Sequence, residues 1–286
     1  MGIKLRSYAD AQSFLADAQA ALELNEVAKC LMLGVCLRLV RRPERISALP
    51  CLRTVEDEGG LVPASMMTPP HKLVVYGHQG HLGEAPPLPV EGLVDERWEV
   101  PGVLGPREVA RKVVETWRQI SGQRYELERR QRLYELREAK SPVPGRGRLR
   151  LAAAPDVEFV AGWHYAFHVE VFEEGDRRKA RPAAELGIES EDVYLWEDEA
   201  PLSMAMTTRP TRDGISVGLV YTPPELWGRG YATACVGEPS RLLLESGWGY
   251  CALFADVSNA PAIHVYHRIG YEPVCDYDEY ASAKQD

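Results

Sequence analysis

The chain has 286 residues, 45% of them apolar, and a formal net charge of −9. That length suits one large or two modest domains, and that apolar share suits a substantial core. No apolar run approaches the ~20 residues of a membrane-spanning helix, and an acidic chain lacks the basic face of a general nucleic-acid binder.

In chain order, the first residues lack the apolar stretch of a secretory signal, and Arg6 stands where a myristoylation start at Gly2 calls for Ser or Thr. Helices are expected over 9–24 and 25–40; the second holds the apolar run 30–40, a buried element. Residues 55–70 read as an acidic turn, a short apolar strand with Met66 and Met67, then Thr68 and two prolines. Residues 100–106 lead into a helix through Val109, Val113 and Trp117. Pro and Gly crowd residues 141–148, and both block helix and strand. A linker is expected there, separating domains at 1–143 and 149–286. Six cysteines stand at 30, 36, 51, 235, 251 and 275 without a C-x-x-C pair. That pattern implies neither a zinc site nor a redox dithiol, and free thiols fit a reducing cytoplasm.

The second half alternates strands and helices. A strand over 149–154 precedes a helix capped by Asp156 and running through Trp163, His164, Phe167 and Val171. Strands over 193–196 and 203–208 flank the acidic turn 197–201. A third strand covers 215–222, a helix opens at Gly230 and reaches about residue 246, and a strand over 250–257 leads to a helix over 261–269. Residues 271–280 supply one or two closing strands. Pro239 inside the second helix costs about 3 kcal/mol unless a bend near Gly237 absorbs it. Such alternation indicates a mixed α/β sheet. Residues 196–210 repeat the pattern of 55–70: acidic turn, methionine-bearing strand, Thr, Pro. The repeat is either a chance hairpin likeness or an old duplication whose first copy lost its phosphate loop.

The stretch 215–232 carries the most chemistry. An apolar strand stops at Pro223-Pro224, a short turn holds Gly228, Arg229 and Gly230, and a helix begins at Tyr231 and Ala232. The first N–H groups of a helix lack internal partners and sit at the positive end of its dipole, so they receive anions. Glycines let the backbone curl around a diphosphate. Two glycines alone also describe many surface turns. Further along come Asn259, Tyr266 and Gly270-Tyr271. Together these segments resemble the GNAT superfamily of N-acetyltransferases. That family's acyl-CoA loop reads Arg/Gln-x-x-Gly-x-Gly/Ala and is followed by Asn, Tyr and Gly-Phe/Tyr. Gly230 and Ala232 take the loop's last two positions; Trp227 stands where the family has Arg or Gln.

The resemblance implies an α/β fold. Its C-terminal part is GNAT-like, a mixed and mostly antiparallel sheet flanked by helices. Before it comes a smaller N-terminal α/β domain, a degenerate GNAT-like repeat on the duplication reading. It implies that the pantetheine arm of acetyl-CoA, the acyl-donor substrate, lies beside Val220, Tyr221 and Thr222. The diphosphate would rest on Gly228, Arg229, Gly230, Tyr231 and Ala232, with Trp227 and Asn259 beside it. Tyr266 would donate a proton to the departing sulfur. Trp227 offers one N–H and no charge, so binding is expected to weaken by the ~1.5–3 kcal/mol of a charge-assisted contact, with Arg229 compensating. The acceptor is a small-molecule or peptide primary amine, the transfer is direct within a ternary complex, and a homodimer is compatible with it. No nucleic acid or membrane enters as partner.

No general base stands out. Glu225 reads equally as a solvated turn acid, and Asp256 as a residue that steadies the following turn. His164 and His168, spaced i, i+4 beside Glu170, read as pocket lining or as half-buried polar residues; no third metal ligand accompanies them. The missing base and Trp227 keep a competing reading open, a non-catalytic acyl-CoA-binding sensor or interaction module. A dinucleotide-dependent oxidoreductase lacks its three-glycine fingerprint here. Acidic residues at 170–174 and 197–199 suit a polyamine, an aminoglycoside or a peptide amine, and equally suit solvated loops.

Overall fold

A computed structural model describes residues 4–43, 48–57, 60–77, 90–140, 146–173 and 175–283. Most of the expected linker, 141–145, lies outside them, as does the tip of the first acidic turn. The chain divides into two units. One comprises Met1–Leu133, Ala255–Ser258 and Val274–Asp286, the other Tyr134–Phe254 and Asn259–Pro273.

The first run of elements is β1 (Lys4–Tyr8), α1 (Ala11–Glu23), α2 (Glu26–Arg41), β2 (Cys51–Asp57), β3 (Gly60–Met67), β4 (Leu73–Gly77), α3 (Val90–Asp95), β5 (Gly102–Pro106), α4 (Arg107–Ser121) and β6 (Tyr125–Leu136). The second is β7 (Arg148–Leu151), α5 (Val157–Phe172), α6 (Arg177–Glu189), β8 (Val193–Asp198), β9 (Ala200–Thr208), β10 (Gly214–Tyr221), α7 (Tyr231–Glu245), β11 (Tyr250–Asp256), α8 (Ala260–Ile269) and β12 (Glu272–Ser282). Both runs read strand, two helices, three strands, helix, strand, helix, strand. The methionine-bearing hairpins of the sequence are β2–β3 and β8–β9, the second and third strands of each run. The repeat is therefore one of architecture.

In the first unit the strands lie in the order β1-β2-β3-β4-β5-β12-β6. β4 and β5 pair in parallel, whereas β1–β2, β2–β3, β3–β4 and β5–β12 pair antiparallel. Local chemistry sets the helices. Asp10 caps α1 by accepting the Ser13 N–H at 2.8 Å. α4 turns Val109, Val113 and Trp117 toward Leu73, Val75 and Val103 of the sheet, and Gly122 ends it in the left-handed conformation (φ 75°). β12 is held by charge: Arg107 reaches Asp276 at 3.1 Å and Asp278 at 3.2 Å, and Arg132 reaches Asp276 at 2.6 Å.

In the second unit the order is β11-β10-β9-β8-β7, with β10 and β11 parallel and the other pairs antiparallel. Val160 and Ala161 of α5 and Ala184 of α6 pack on Val193, Leu195 and Met204. Several elements go beyond the sequence reading, among them β1, β4, α3, β6 and α6, the last with Pro182 inside it. α7 runs on through Pro239, which is buried, so no interruption separates its two halves. Residues 272–282 form one closing strand.

Candidate functional site

β10 and β11 begin as neighbours. Gly214 pairs with Tyr250, Ile215 with Cys251 and Ser216 with Ala252. There the pairing stops, although β10 continues to Tyr221 and β11 to Asp256. The cause lies in β10. Its pairing with β9 shifts register between Gly218 and Tyr221, a β-bulge, and Leu219 takes a left-handed φ of 49°. A bulge re-aims the backbone and raises the local twist. It turns main-chain groups that would otherwise pair with β11 into an edge. A side chain at Gly218 would meet no atom within 4 Å, so the room beside the bulge is open. Ser216, at the last paired position, has a buried hydroxyl without a hydrogen-bond partner. A slot between parting strands with an orphaned hydroxyl at its closed end fits an extended amide-bearing arm.

The residues after the bulge are fixed by hydrogen bonds. The Ser203 hydroxyl donates to the Tyr221 carbonyl at 3.2 Å and lies 2.8 Å from the Thr222 hydroxyl. The Trp227 indole N–H donates to the Thr222 carbonyl at 2.7 Å, although the side chain is 58% exposed. Trp227 therefore closes the loop on itself and spends its one donor there. Arg229 lies on the exposed side of the turn, with a guanidinium N–H on the Glu225 carbonyl at 3.3 Å.

Gly228 and Gly230 both adopt positive φ, 75° and 82°. Such angles suit glycine and strain other residues. Gly230 is the N-cap of α7, and the first bond inside the helix runs from the Ala234 N–H to the Gly230 carbonyl at 3.0 Å. The N–H groups of Tyr231, Ala232 and Thr233 precede that bond and have no helical acceptor. No atom lies within 4 Å of where a Cβ would stand on either glycine. An open concave backbone with free donors at the positive end of a helix suits a diphosphate.

Tyr266 sits on α8. Asn259 opens that helix, its side-chain oxygen accepting the Ala262 N–H at 3.0 Å, and Gly270 (φ 115°) closes it. A Cβ at Gly270 would press on Lys140 and the Glu138 carbonyl at 3.2–3.3 Å. The Tyr266 ring packs near those of Tyr134 (6.4 Å) and Tyr271 (6.0 Å). Burial pushes its phenol up to about 12, so it stays protonated at neutral pH. The Tyr271 hydroxyl has a partner in Ser240 at 2.8 Å.

The base candidates separate. Asp256 accepts both the Ser258 N–H (2.7 Å) and the Ser258 hydroxyl (2.5 Å), which makes it a turn former. His164 and His168 lie 4.6 Å apart, ring to ring. Burial, then the neighbouring His168, lowers His164 to about 4, and burial lowers His168 as well. Glu225 lies in the short 3₁₀ turn Pro224–Leu226 before the glycine loop. Sequence reading passed over Leu219 and Gly218; the signal available was a glycine inside an otherwise apolar strand, a common mark of a bulge.

The first unit uses the same topology differently. β4 and β5 pair at Leu73–Val103 and Val74–Leu104. At the next step a Cβ on Gly105 would collide with the Val75 carbonyl oxygen, 2.5 Å away. Here the glycine brings the strands together where in β10 it leaves room. The segment between β4 and α3 lies outside the described residues.

Residues 199–280 match the family model described as FR47-like protein. No curated protein matches the chain by sequence. Among solved structures, an acetyltransferase of the GNAT family from Colwellia psychrerythraea superposes with a TM-score of 0.57 at 12% identity, covering 98% of this chain and 100% of that one. An N-acetyltransferase from Sphaerobacter thermophilus gives 0.60 at 16% identity over 97% and 94%. A tandem GNAT protein from the clavulanic acid biosynthesis pathway gives 0.57 at 13% identity over 100% of both chains. The chain has the GNAT fold along its whole length.

Proposed function

We propose that this GNAT-fold chain is an N-acetyltransferase that moves the acetyl group of acetyl-CoA directly to a primary amine. The observation that carries the reading is the parting of β10 from β11 after Ser216, just ahead of the uncapped glycine start of α7. In this reading residues 149–286 form the catalytic domain and residues 1–143 the degenerate copy. Val220, Tyr221 and Thr222 flank the pantetheine arm, and Gly228, Arg229, Gly230, Tyr231 and Ala232 hold the diphosphate. Trp227 braces the loop, and Asn259 orients α8.

Chemistry then falls to Tyr266. The neutral amine attacks the thioester carbonyl, the carbon–sulfur bond breaks, and its electrons pass to sulfur. Tyr266 gives its proton to that sulfur; the amine's surplus proton leaves to solvent, and solvent restores the phenol. A phenol near 12 is a weak acid toward an ordinary thiol. A thiolate held away from bulk water is more basic than a solvated one, which favours its protonation by the phenol. Acetyl-CoA with a panel of amines tests the proposal by thiol release, which must depend on the amine.

A second reading has one observation in its favour. The only indole donor of Trp227 is committed to Thr222, so the loop offers no side-chain donor where the family has Arg or Gln. On that reading the chain binds acyl-CoA without turnover, and amine-dependent thiol is absent despite tight binding.

A further inference from the structure

Ser216 is a polar residue on a stretch of β10 that is otherwise apolar. Its neighbours Ile215 and Val217 are buried hydrophobic residues. Ser216 is 1% exposed, and its hydroxyl has no hydrogen-bond partner. A strand that served only the core would be better off with alanine or valine there, because a buried hydroxyl left unpaired loses its bonds to water without replacement. The register shows what the hydroxyl stands beside. Ser216 lies opposite Thr208 of β9, Val217 opposite Thr207 and Gly218 opposite Met206, with no shift among these three pairs. Alternation therefore puts Ser216 and Gly218 on the same face of the sheet, about 7 Å apart along the strand. At Gly218 that face is vacant, since an added Cβ would meet no atom within 4 Å. Gly218 is only half-buried, so the space opens outward, and Ser216 lies at its inner end. Ser216 is also the last residue of β10 that pairs with β11, opposite Ala252.

Resting on the acyl-transfer reading above, we infer that Ser216 is a second catalytic residue, its hydroxyl donating a hydrogen bond to the carbonyl oxygen of the thioester. That reading sets the diphosphate on residues 228–232 and the pantetheine arm beside residues 220–222, so the acyl end comes next along β10, at Gly218 and Ser216. The partners match in kind. A thioester carbonyl oxygen accepts and cannot donate, and the serine hydroxyl has one O–H to give. A serine hydroxyl turns among three staggered positions, so a rotation is enough to aim it at an atom held between Ser216 and Gly218. When the amine adds to the carbonyl carbon, the carbonyl's bonding pair moves onto oxygen, and the O–H dipole faces that charge in a site shielded from water. Ser216 keeps its proton throughout. As the intermediate collapses, the pair on oxygen restores the carbonyl, the carbon–sulfur bond breaks, and sulfur takes that bond's electrons and the Tyr266 proton. The two hydroxyls thus serve in turn, Ser216 on oxygen and Tyr266 on sulfur.

The test uses the full chain, acetyl-CoA carrying ¹³C at the carbonyl, and 2-phenylethylamine, n-propylamine and spermidine as acceptors. Carbon NMR of bound acetyl-CoA, without amine, reads the hydrogen bond itself, since a donor on the oxygen moves the carbonyl resonance downfield. Thiol release reads transfer, calorimetry reads CoA affinity, and a thermal melt reads folding. Ser216→Ala is expected to remove the downfield shift and to lower kcat about 10²- to 10³-fold, as loss of one such donor does. Affinity for free CoA, which lacks the oxygen, should stay within about twofold. Tm should not fall, because alanine removes an unpaired polar group; a residue that mattered only to packing would lower Tm and spare kcat. Ser216→Cys keeps the shape with a weak donor and should follow alanine. A shift that depends on Ser216, with no thiol released by any of the three amines, would uphold the contact and overturn the transfer reading. Amine-dependent thiol release that Ser216→Ala leaves within about threefold of the parent, or a carbonyl resonance that the substitution does not move, would overturn the role of Ser216 and leave transfer standing. A cysteine variant with the parent's kcat would overturn it as well, and failure of the parent to bind acetyl-CoA would overturn both.

Discussion

Gly230→Ala isolates the helix start that is proposed to hold the diphosphate. Gly230 has φ 82° and ψ 2°, and no atom stands within 4 Å of an added Cβ. Collision with neighbours therefore contributes nothing, and the whole effect is conformational. An L-residue held in the left-handed region costs about 1–2 kcal/mol. If the backbone keeps its shape, that strain appears as lost stability, a fall in Tm of roughly 2–4 °C per kcal/mol. If the backbone relaxes, the N–H groups of Tyr231 and Ala232 swing away from the ligand. Each hydrogen bond to a charged group contributes about 1.5–3 kcal/mol, so losing one weakens CoA about 10- to 100-fold. Gly162→Ala is the control, since Gly162 lies inside α5 with the same open surroundings. Alanine there should add about 0.5–1 kcal/mol of stability and leave CoA affinity alone. Calorimetric titration with CoA and thermal melts read both variants. The reasoning is refuted if Gly230→Ala binds CoA as the parent does and melts unchanged, or if the two variants shift affinity alike.

Tyr266→Phe should lower kcat about 10²- to 10⁴-fold with CoA affinity intact; a loss of binding in step with kcat would assign the residue to the core alone. Because burial holds the Tyr266 phenol near 12, kcat/KM should rise as the amine deprotonates and show no falling limb up to about pH 10; a decline between about pH 8 and 10 would remove it as the acid. The bond from Arg132, then the charges of Arg132 and Arg107, hold the Asp276 carboxyl below its usual value of 3.8. Its contribution is thus present above that value and disappears as pH falls through the lower, folded one. Asp276→Asn should melt below the parent at pH 7, the difference closing under about pH 4; a difference that persists in acid would point to packing instead.

Local chemistry was legible in the sequence because it is local. The strand stopped by Pro223-Pro224 and the Gly228–Gly230 turn that opens a helix act within a few residues, and each stands where its pattern indicates. The methionine hairpins were legible as a repeat because β2–β3 and β8–β9 occupy equal places in their runs. What escaped depends on distant partners. β6 carries charged residues on a strand whose role is set by neighbours far away in sequence, and β12 pairs with β5 and is held by Arg107 of α4 and Arg132 of β6, all more than a hundred residues upstream. α6 was hidden by Pro182, which lies past its first turn and forfeits a helical hydrogen bond there, yet the helix runs on through it. The Trp227–Thr222 bond was beyond pattern reading too, since substitution of a family Arg or Gln by Trp says what is lost and not what the indole finds instead.

The two runs of elements also show why topology alone does not make a site. Gly105 and Gly218 each lie in or beside the parallel strand pair of their run. At Gly105 the absent side chain lets the Val75 carbonyl come in, so the backbone fills the space that a Cβ would take. At Gly218 the space stays empty, and the next residue, Leu219, bears a left-handed φ that a leucine adopts only at a cost of order 1–3 kcal/mol. Such strain persists where surrounding bonds over-determine it. Here Ser203 holds Tyr221 and Thr222 from one side while Trp227 holds Thr222 from the loop. A strand that served only the core would gain stability by straightening, pairing Val217 onward with β11 and releasing Leu219. The second run keeps the strained leucine, the parted strands and the brace together, which is the combination expected of a backbone held open for a ligand.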